Sequence, residues 1–172
     1  MNFSILATTR LLFAPRHKVS CSWWVWQGLC HALRIRGRNR SRESGAFLLG
    51  YEHDGRKRIV NFVLYDDLDP HSLDSGIVHF NGRYFSDLWA ICEARGLSVV
   101  ADIHVHPGSA GQSPSDQAYP MISQAGHLAM ILPDFAAAPI TRSEIGIYEY
   151  LGRKQWRTVA PNDRTSYFHI GI

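Results

Sequence analysis

Residues 97–105, LSVVADIHV, have the length and apolarity of a strand inside a sheet, and the run ends in His104-Val105-His106-Pro107. Successive side chains alternate across a strand, so His104 and His106 share one face and can offer imidazole nitrogens to a single ion. A short polar loop follows, and Ser113-Pro114-Ser115-Asp116 then stands at the start of a helix. That loop can return the chain over the strand end and aim the Asp116 carboxylate at the same point. Two histidines and one carboxylate leave a fourth position for water, which is the pattern of a catalytic zinc site and not of a closed structural one.

The pattern elsewhere predicts a mixed α/β (α+β) architecture with helices packed on a sheet. Residues 3–13 are apolar and β-leaning and end at Ala14-Pro15. Ser20 or Ser22 caps a helix running to about Ile35, with Trp23, Trp26, Leu29, Cys30 and Leu33 on its core face and Gly37 closing it. Residues 44–51 and 58–65 read as a hairpin turning at His53-Asp54-Gly55. A loop over 66–75 leads to a short strand at 76–80 and a helix over 84–95 stopped by Gly96. After the buried strand, Ser115 opens a short helix to about Ser123, 127–132 is another strand, and 145–150 with 155–159 forms a last hairpin. No internal repeat or linker interrupts the chain, and 172 residues fit one domain.

Composition excludes several function classes. With 45% hydrophobic and 19% charged residues the chain is globular, not disordered. No apolar run approaches the roughly 18 residues that span a bilayer, and the N-terminal stretch reads as a strand, not as a signal peptide. Cys21, Cys30 and Cys92 are odd in number and lack CxxC spacing, so neither a disulfide framework nor a cysteine zinc site is expected and a cytoplasmic location fits. The net charge of +3 is local in origin: five of the 18 basic residues are Arg34, Arg36, Arg38, Arg40 and Arg42, and leaving them out turns +3 into −2. Nucleic acid is therefore not the expected partner.

The reaction also needs a base, and Glu43 at the head of a strand is the candidate, with a salt bridge to the neighbouring arginines as its alternative role. Glu43-Ser44-Gly45-Ala46-Phe47-Leu48-Leu49-Gly50, followed by His104-Val105-His106-Pro107 and Ser113-Pro114-Ser115-Asp116, resembles the JAMM (MPN+ or JAB) zinc metalloprotease family. The resemblance covers about residues 1–160. It implies a single MPN/JAB-like domain spanning 1–172, with a central, mostly antiparallel sheet flanked by helices in cytidine-deaminase-like layering. Carried over by position, it implies one Zn2+ per chain held by His104, His106 and Asp116. Glu43 would orient and deprotonate the zinc water, and Ser113 would hydrogen-bond the oxyanion. The activity implied is hydrolysis of a peptide or isopeptide bond after the C-terminal glycine of a ubiquitin-like modifier. Short loops make the chain similar to the family's minimal bacterial branch, which accompanies activating and conjugating enzymes, sometimes in antiviral systems. The alternative is a noncatalytic MPN-type module that binds a ubiquitin-like protein or scaffolds a complex. Two departures stand out: Ala46 replaces a common glycine, and six residues separate His106 from Ser113 where many members have seven.

Three further expectations follow. Asp102 shares the face of His104 and either orients an imidazole or plays a structural part. The 34–42 arginine run either borders the groove and meets an acidic patch on a substrate protein or is a solvated loop. The 76–80 strand is the expected edge for an extended substrate tail.

Overall fold

The computed structural model describes residues 17–38, 40–137 and 139–171. The predicted hairpin forms as β2 (Gly45–His53) and β3 (Arg56–Leu64), turning at Asp54-Gly55. Its first strand is fully buried from Gly45 to Gly50 because both its faces are covered, which places it centrally. Ala46 and Leu48 pack on one side with helix α1 (Trp23–Arg36), whose Trp26, Leu29, Cys30 and Leu33 are buried. Phe47 and Leu49 pack on the other with α3 (Phe85–Arg95) through Leu88 and Cys92. The sheet thus lies between two helical layers, as expected.

Helix α1 starts where Ser22 Oγ accepts the Val25 N–H at 3.3 Å and ends at Gly37. Trp23, expected on its core face, is instead 46% exposed, and the buried face begins at Trp26. Helix α3 stops at Gly96 in the left-handed conformation, φ 61°.

Among the described residues, eight strands form one sheet. The others are β1 (Val19–Ser22), β4 (Ser98–Val105), β5 (Leu128–Leu132), β6 (Gly146–Gly152), β7 (Gln155–Thr158) and β8 (Phe168–Gly171), in the spatial order β7-β6-β5-β4-β2-β3-β1-β8. Three pairings are parallel, β1 with β3, β1 with β8 and β4 with β5, and the remaining four are antiparallel. Strands β1 and β8 were not foreseen; each has four residues, too few to display a period. The expected strand over 3–13 lies outside the described residues. Residues 76–80 are not a strand, because Glu43 and Ser72 bind backbone groups that a neighbouring strand would need. Residues 66–75 begin inside a one-turn helix, α2 (Tyr65–Leu68), and α4 (Pro114–Ala118) is capped by Ser113, two residues before the expected start and ending short of Ser123. A further one-turn helix, α5 (Arg164–Tyr167), precedes β8. Among the described residues no helix is long and apolar enough to cross a membrane.

Candidate metal centre

Strand β4 divides its side chains as its parity requires. Ile103 and Val105 join the core under α1, while Asp102, His104 and His106 face the opposite way. His106 lies one residue past β4, where its N–H still donates to Leu132 O at 2.9 Å. The two Nε2 atoms are 2.9 Å apart, a spacing two ring nitrogens accept when they share a cation or a proton.

Asp116 completes the cluster. Its Oδ1 is 3.5 Å from His104 Nε2 and its Oδ2 is 3.4 Å from His106 Nε2. Four-coordinate zinc with bonds of 2.0–2.1 Å holds its ligand atoms about 3.3 Å apart, so these separations and the two-imidazole, one-carboxylate donor set fit a divalent metal. A capping box fixes the carboxylate: Asp116 Oδ2 accepts the Ser113 N–H at 2.7 Å, and Ser113 Oγ accepts the Asp116 N–H at 3.2 Å. The Ser113 hydroxyl keeps its own proton to donate.

Electrostatics reinforce the arrangement. Burial by itself would raise the Asp116 carboxyl, but hydrogen bonds from the His104 and His106 rings and the Ser113 N–H hold it well below the usual carboxylate range. Burial opposes charge on His106, yet Asp116, Glu43 and the Gly111 carbonyl together raise it above the ordinary imidazole value.

The short loop between His106 and Ser113 closes because β6 receives it. Tyr148 OH donates to Ala110 O at 2.7 Å, and Gly146 leaves room for that carbonyl; a Cβ there would lie 2.1 Å from it. Trp156 Nε1 donates to Gln117 O at 3.1 Å and ties α4 to β7. On the other side, Asp134 N–H donates to Gly108 O at 3.0 Å and Phe135 N–H to His106 O at 2.9 Å. They do so from a turn in which Asp134, Phe135 and Ala136 all have φ near +50°, at 51°, 52° and 54°. Left-handed backbone at three consecutive non-glycine residues is strained, and here the strain lies against a candidate ligand.

Glu43 comes from across the ladder. Gly45 pairs with His104, and the Val105 N–H donates to Ser44 O at 3.0 Å, so the register carries Glu43 to the level of His106. Its Oε1 lies 3.9 Å from His106 Nε2, while Oε2 accepts the Val78 N–H at 3.1 Å. The Glu43 N–H donates to Gly76 O at 2.8 Å, so residues 76–78 grip both the backbone and the side chain of this glutamate. Val78 acts through its amide, which no side-chain pattern reveals. Ser44 Oγ donates to Leu33 O at 2.7 Å and anchors the same stretch to α1.

Asp102 is structural. It accepts from His127 Nε2 at 2.6 Å and from Tyr65 OH at 3.2 Å. Burial and the neighbouring Asp102 push the Tyr65 hydroxyl well above its ordinary range. His127 is the buried partner in this pair. The arginine run is largely spent within the chain: Arg36 meets Asp66 and Asp67 at 2.7 Å each, Arg40 meets Asp134 at 2.8 Å, and Arg42 Nε donates to Arg36 O. It clamps the turn before Glu43 to α2 and to the 134–136 turn. Arg36 and Arg40 are at once paired and solvent-facing, with side chains 36% and 55% exposed, so this part of the run is a solvated turn braced by ion pairs.

Comparison with known proteins adds a coarse affiliation. No protein-family model matches the chain. Over 65 residues it is 35% identical to the probable metalloprotease y4jG of Sinorhizobium fredii (strain NBRC 101917 / NGR234), a match spanning 38% of this chain and 40% of that relative. The solution structure of protein DSY2949 from Desulfitobacterium hafniense shares the fold at a TM-score of 0.59 and 12% identity, covering 88% of this chain and 92% of that one. The relative and the His104-His106-Asp116 cluster support a metalloprotease-like relationship; the JAMM resemblance rests on the motifs alone.

Proposed function

We propose that this protein is a JAMM-type metal-dependent hydrolase, a single domain with its core within about residues 1–160, that cleaves peptide or isopeptide bonds after the C-terminal glycine of a ubiquitin-like modifier. The observation that carries the hydrolase reading is the convergence of His104, His106 and Asp116 with Glu43, whose free oxygen faces the cluster from 3.9 Å. One zinc ion held by the three ligands would supply a Lewis acid that polarises a carbonyl and acidifies water to a pKa of about 7.

The chain's own residues then divide the work. Glu43 Oε1 takes a proton from the attacking water and returns it to the leaving amine, while the Val78 N–H on Oε2 keeps the carboxylate aimed. The Ser113 hydroxyl, with its oxygen engaged by the Asp116 N–H, points its remaining proton to the oxygen on which negative charge develops. The modifier specificity comes from the motif resemblance, as do the expected partners, a ubiquitin-like protein or its conjugates and the enzymes that activate and attach it. Three free, buried cysteines support a reducing, cytoplasmic setting.

Metal content tests the reading first. Wild-type protein should carry about one zinc per chain, and His104→Ala and Asp116→Ala should lose it. Glu43→Gln should keep the metal and lose cleavage of a ubiquitin-like fusion. No metal uptake by the wild type, or full activity in Glu43→Gln, overturns the mechanism and favours the noncatalytic binding module.

A further inference from the structure

A cavity of about 650 Å³ opens directly beside the metal cluster. His104 and Asp116 themselves line it, so whatever fills it touches the reacting centre. Its walls are largely aromatic and apolar: Phe80, Phe85, Trp89, Tyr119, Met121 and Trp156. Phe85 and Trp89 stack with centroids 5.7 Å apart and an 11° interplanar angle, presenting a flat face. Trp89 and Tyr119 are 46% and 77% exposed, so these faces are not consumed by the chain's own core. Polar groups interrupt the apolar lining on the side of the metal ligands, Asp102, Gln112 and Ser115 among them. Of these, Gln112 has its Nε2 buried with no hydrogen-bond partner among the described residues. A buried amide N–H without a partner has lost its water and gained nothing in return, and an acceptor brought against it relieves that cost.

We propose that this cavity is a side-chain subsite that takes a large apolar, preferably aromatic, residue of the polypeptide substrate, with Gln112 donating to a main-chain carbonyl beside it. The proposal rests on the hydrolase reading above and extends it. A glycine at the cleaved bond has no side chain to fill this volume, so the selected residue is another residue near that bond. Aromatic walls reward a ring both by the area it removes from water and by edge or offset stacking. The neighbouring Gln112 amide and the buried ligand cluster fix its backbone relative to Glu43.

Binding and cleavage separate the two claims. The Glu43→Gln protein, loaded with zinc, is titrated with six-residue Gly/Ala peptides in which one Phe occupies each position in turn, and with the Phe-free parent. Indole N–H resonances of Trp89 and Trp156 are the readout. At least one Phe peptide should bind on the order of 10- to 100-fold more tightly than the parent and shift both resonances. Trp89→Ala, a change at a half-exposed position, should erase that preference, whereas Gln112→Ala should weaken the parent and Phe peptides alike. If no Phe peptide outbinds the parent, the subsite is refuted; if Gln112→Ala changes neither, its donor role is refuted. Wild-type cleavage of a ubiquitin-like fusion, measured in parallel, bears only on the hydrolase reading: peptide preference without cleavage keeps the subsite and sinks the hydrolase.

Discussion

Replacing Gly146 by alanine should damage the metal centre from a strand that contributes no ligand. The added Cβ would sit 2.1 Å from Ala110 O, 2.9 Å from Tyr148 Cε2 and 3.2 Å from the Ala110 carbonyl carbon, where real Cβ contacts are not found below 3.0 Å. The carbonyl must therefore retreat by about 1 Å, and the loop carrying Ser113 and Asp116 goes with it because Tyr148 OH holds it at that carbonyl. Ligand geometry tolerates about 0.5 Å, so Asp116 loses its match to the two imidazoles. Overpacking costs about 1–3 kcal/mol, and disturbing a support of a metal ligand typically costs about 10- to 100-fold in metal affinity. Competition with a chromophoric zinc chelator measures the affinity, and urea denaturation of the metal-free protein measures the stability. Tyr148→Phe removes the anchor without adding bulk and should give a smaller loss of the same sign. Wild-type zinc affinity in a folded Gly146→Ala protein would refute the view that β6 positions Asp116.

Other positions give further expectations. Gly45→Ala would place a Cβ 2.3 Å from Tyr65 Cε2 and 2.8 Å from Ile103 O, next to His104, and should lower stability by about 1–3 kcal/mol in urea melts. Removing one partner of the buried Asp102–His127 hydrogen bond, as in His127→Ala, should cost at least about 1–3 kcal/mol in urea melts, with a loss under about 1 kcal/mol counting against the pairing. Burial pushes the Cys21 thiol up to about 12 and the Cys30 thiol up to about 11. Neither is then an appreciable thiolate at pH 8 in the native state, and iodoacetamide followed by mass spectrometry should label them only after denaturation. The sign follows from the raised values: ionisation of these thiols is easier in the unfolded chain, so they lower native stability as pH rises above about 8.5. Ser22→Ala should lose about 1 kcal/mol through the cap on Val25.

The candidate metal-binding cluster of His104, His106 and Asp116 was legible in the sequence because much of its placement is local. Strand parity puts His104 and His106 on one face whatever surrounds them, and the short polar loop before Asp116 returns the chain over the strand end, whereas the capping box from Ser113 to Asp116 emerged only in the structure. Local pattern likewise marked the buried face of α1 and its end at Gly37. Glu43 is different: its place at the head of a strand made it only a candidate base, with pairing to the nearby arginines as the alternative, and what brings its carboxylate to His106 is the register of β2 on β4, a pairing between residues about 60 apart in the chain. The grip of Val78 on that carboxylate uses a backbone amide, which every residue but proline owns and no residue type advertises.

Other features needed the assembled molecule. The three left-handed residues 134–136 contain no glycine to announce them and persist only because the strands and the Arg40–Asp134 pair around them hold the turn. Strands β1 and β8 exist because the edge of β3 accepts one and that one accepts the other, a long-range choice that four-residue segments do not encode. Sequence therefore determined which atoms can bind a metal. Only the sheet, by closing the 107–113 loop on β6 and bringing 76–78 onto Glu43, determined that they meet, since contacts between distant segments depend on packing that no local pattern carries.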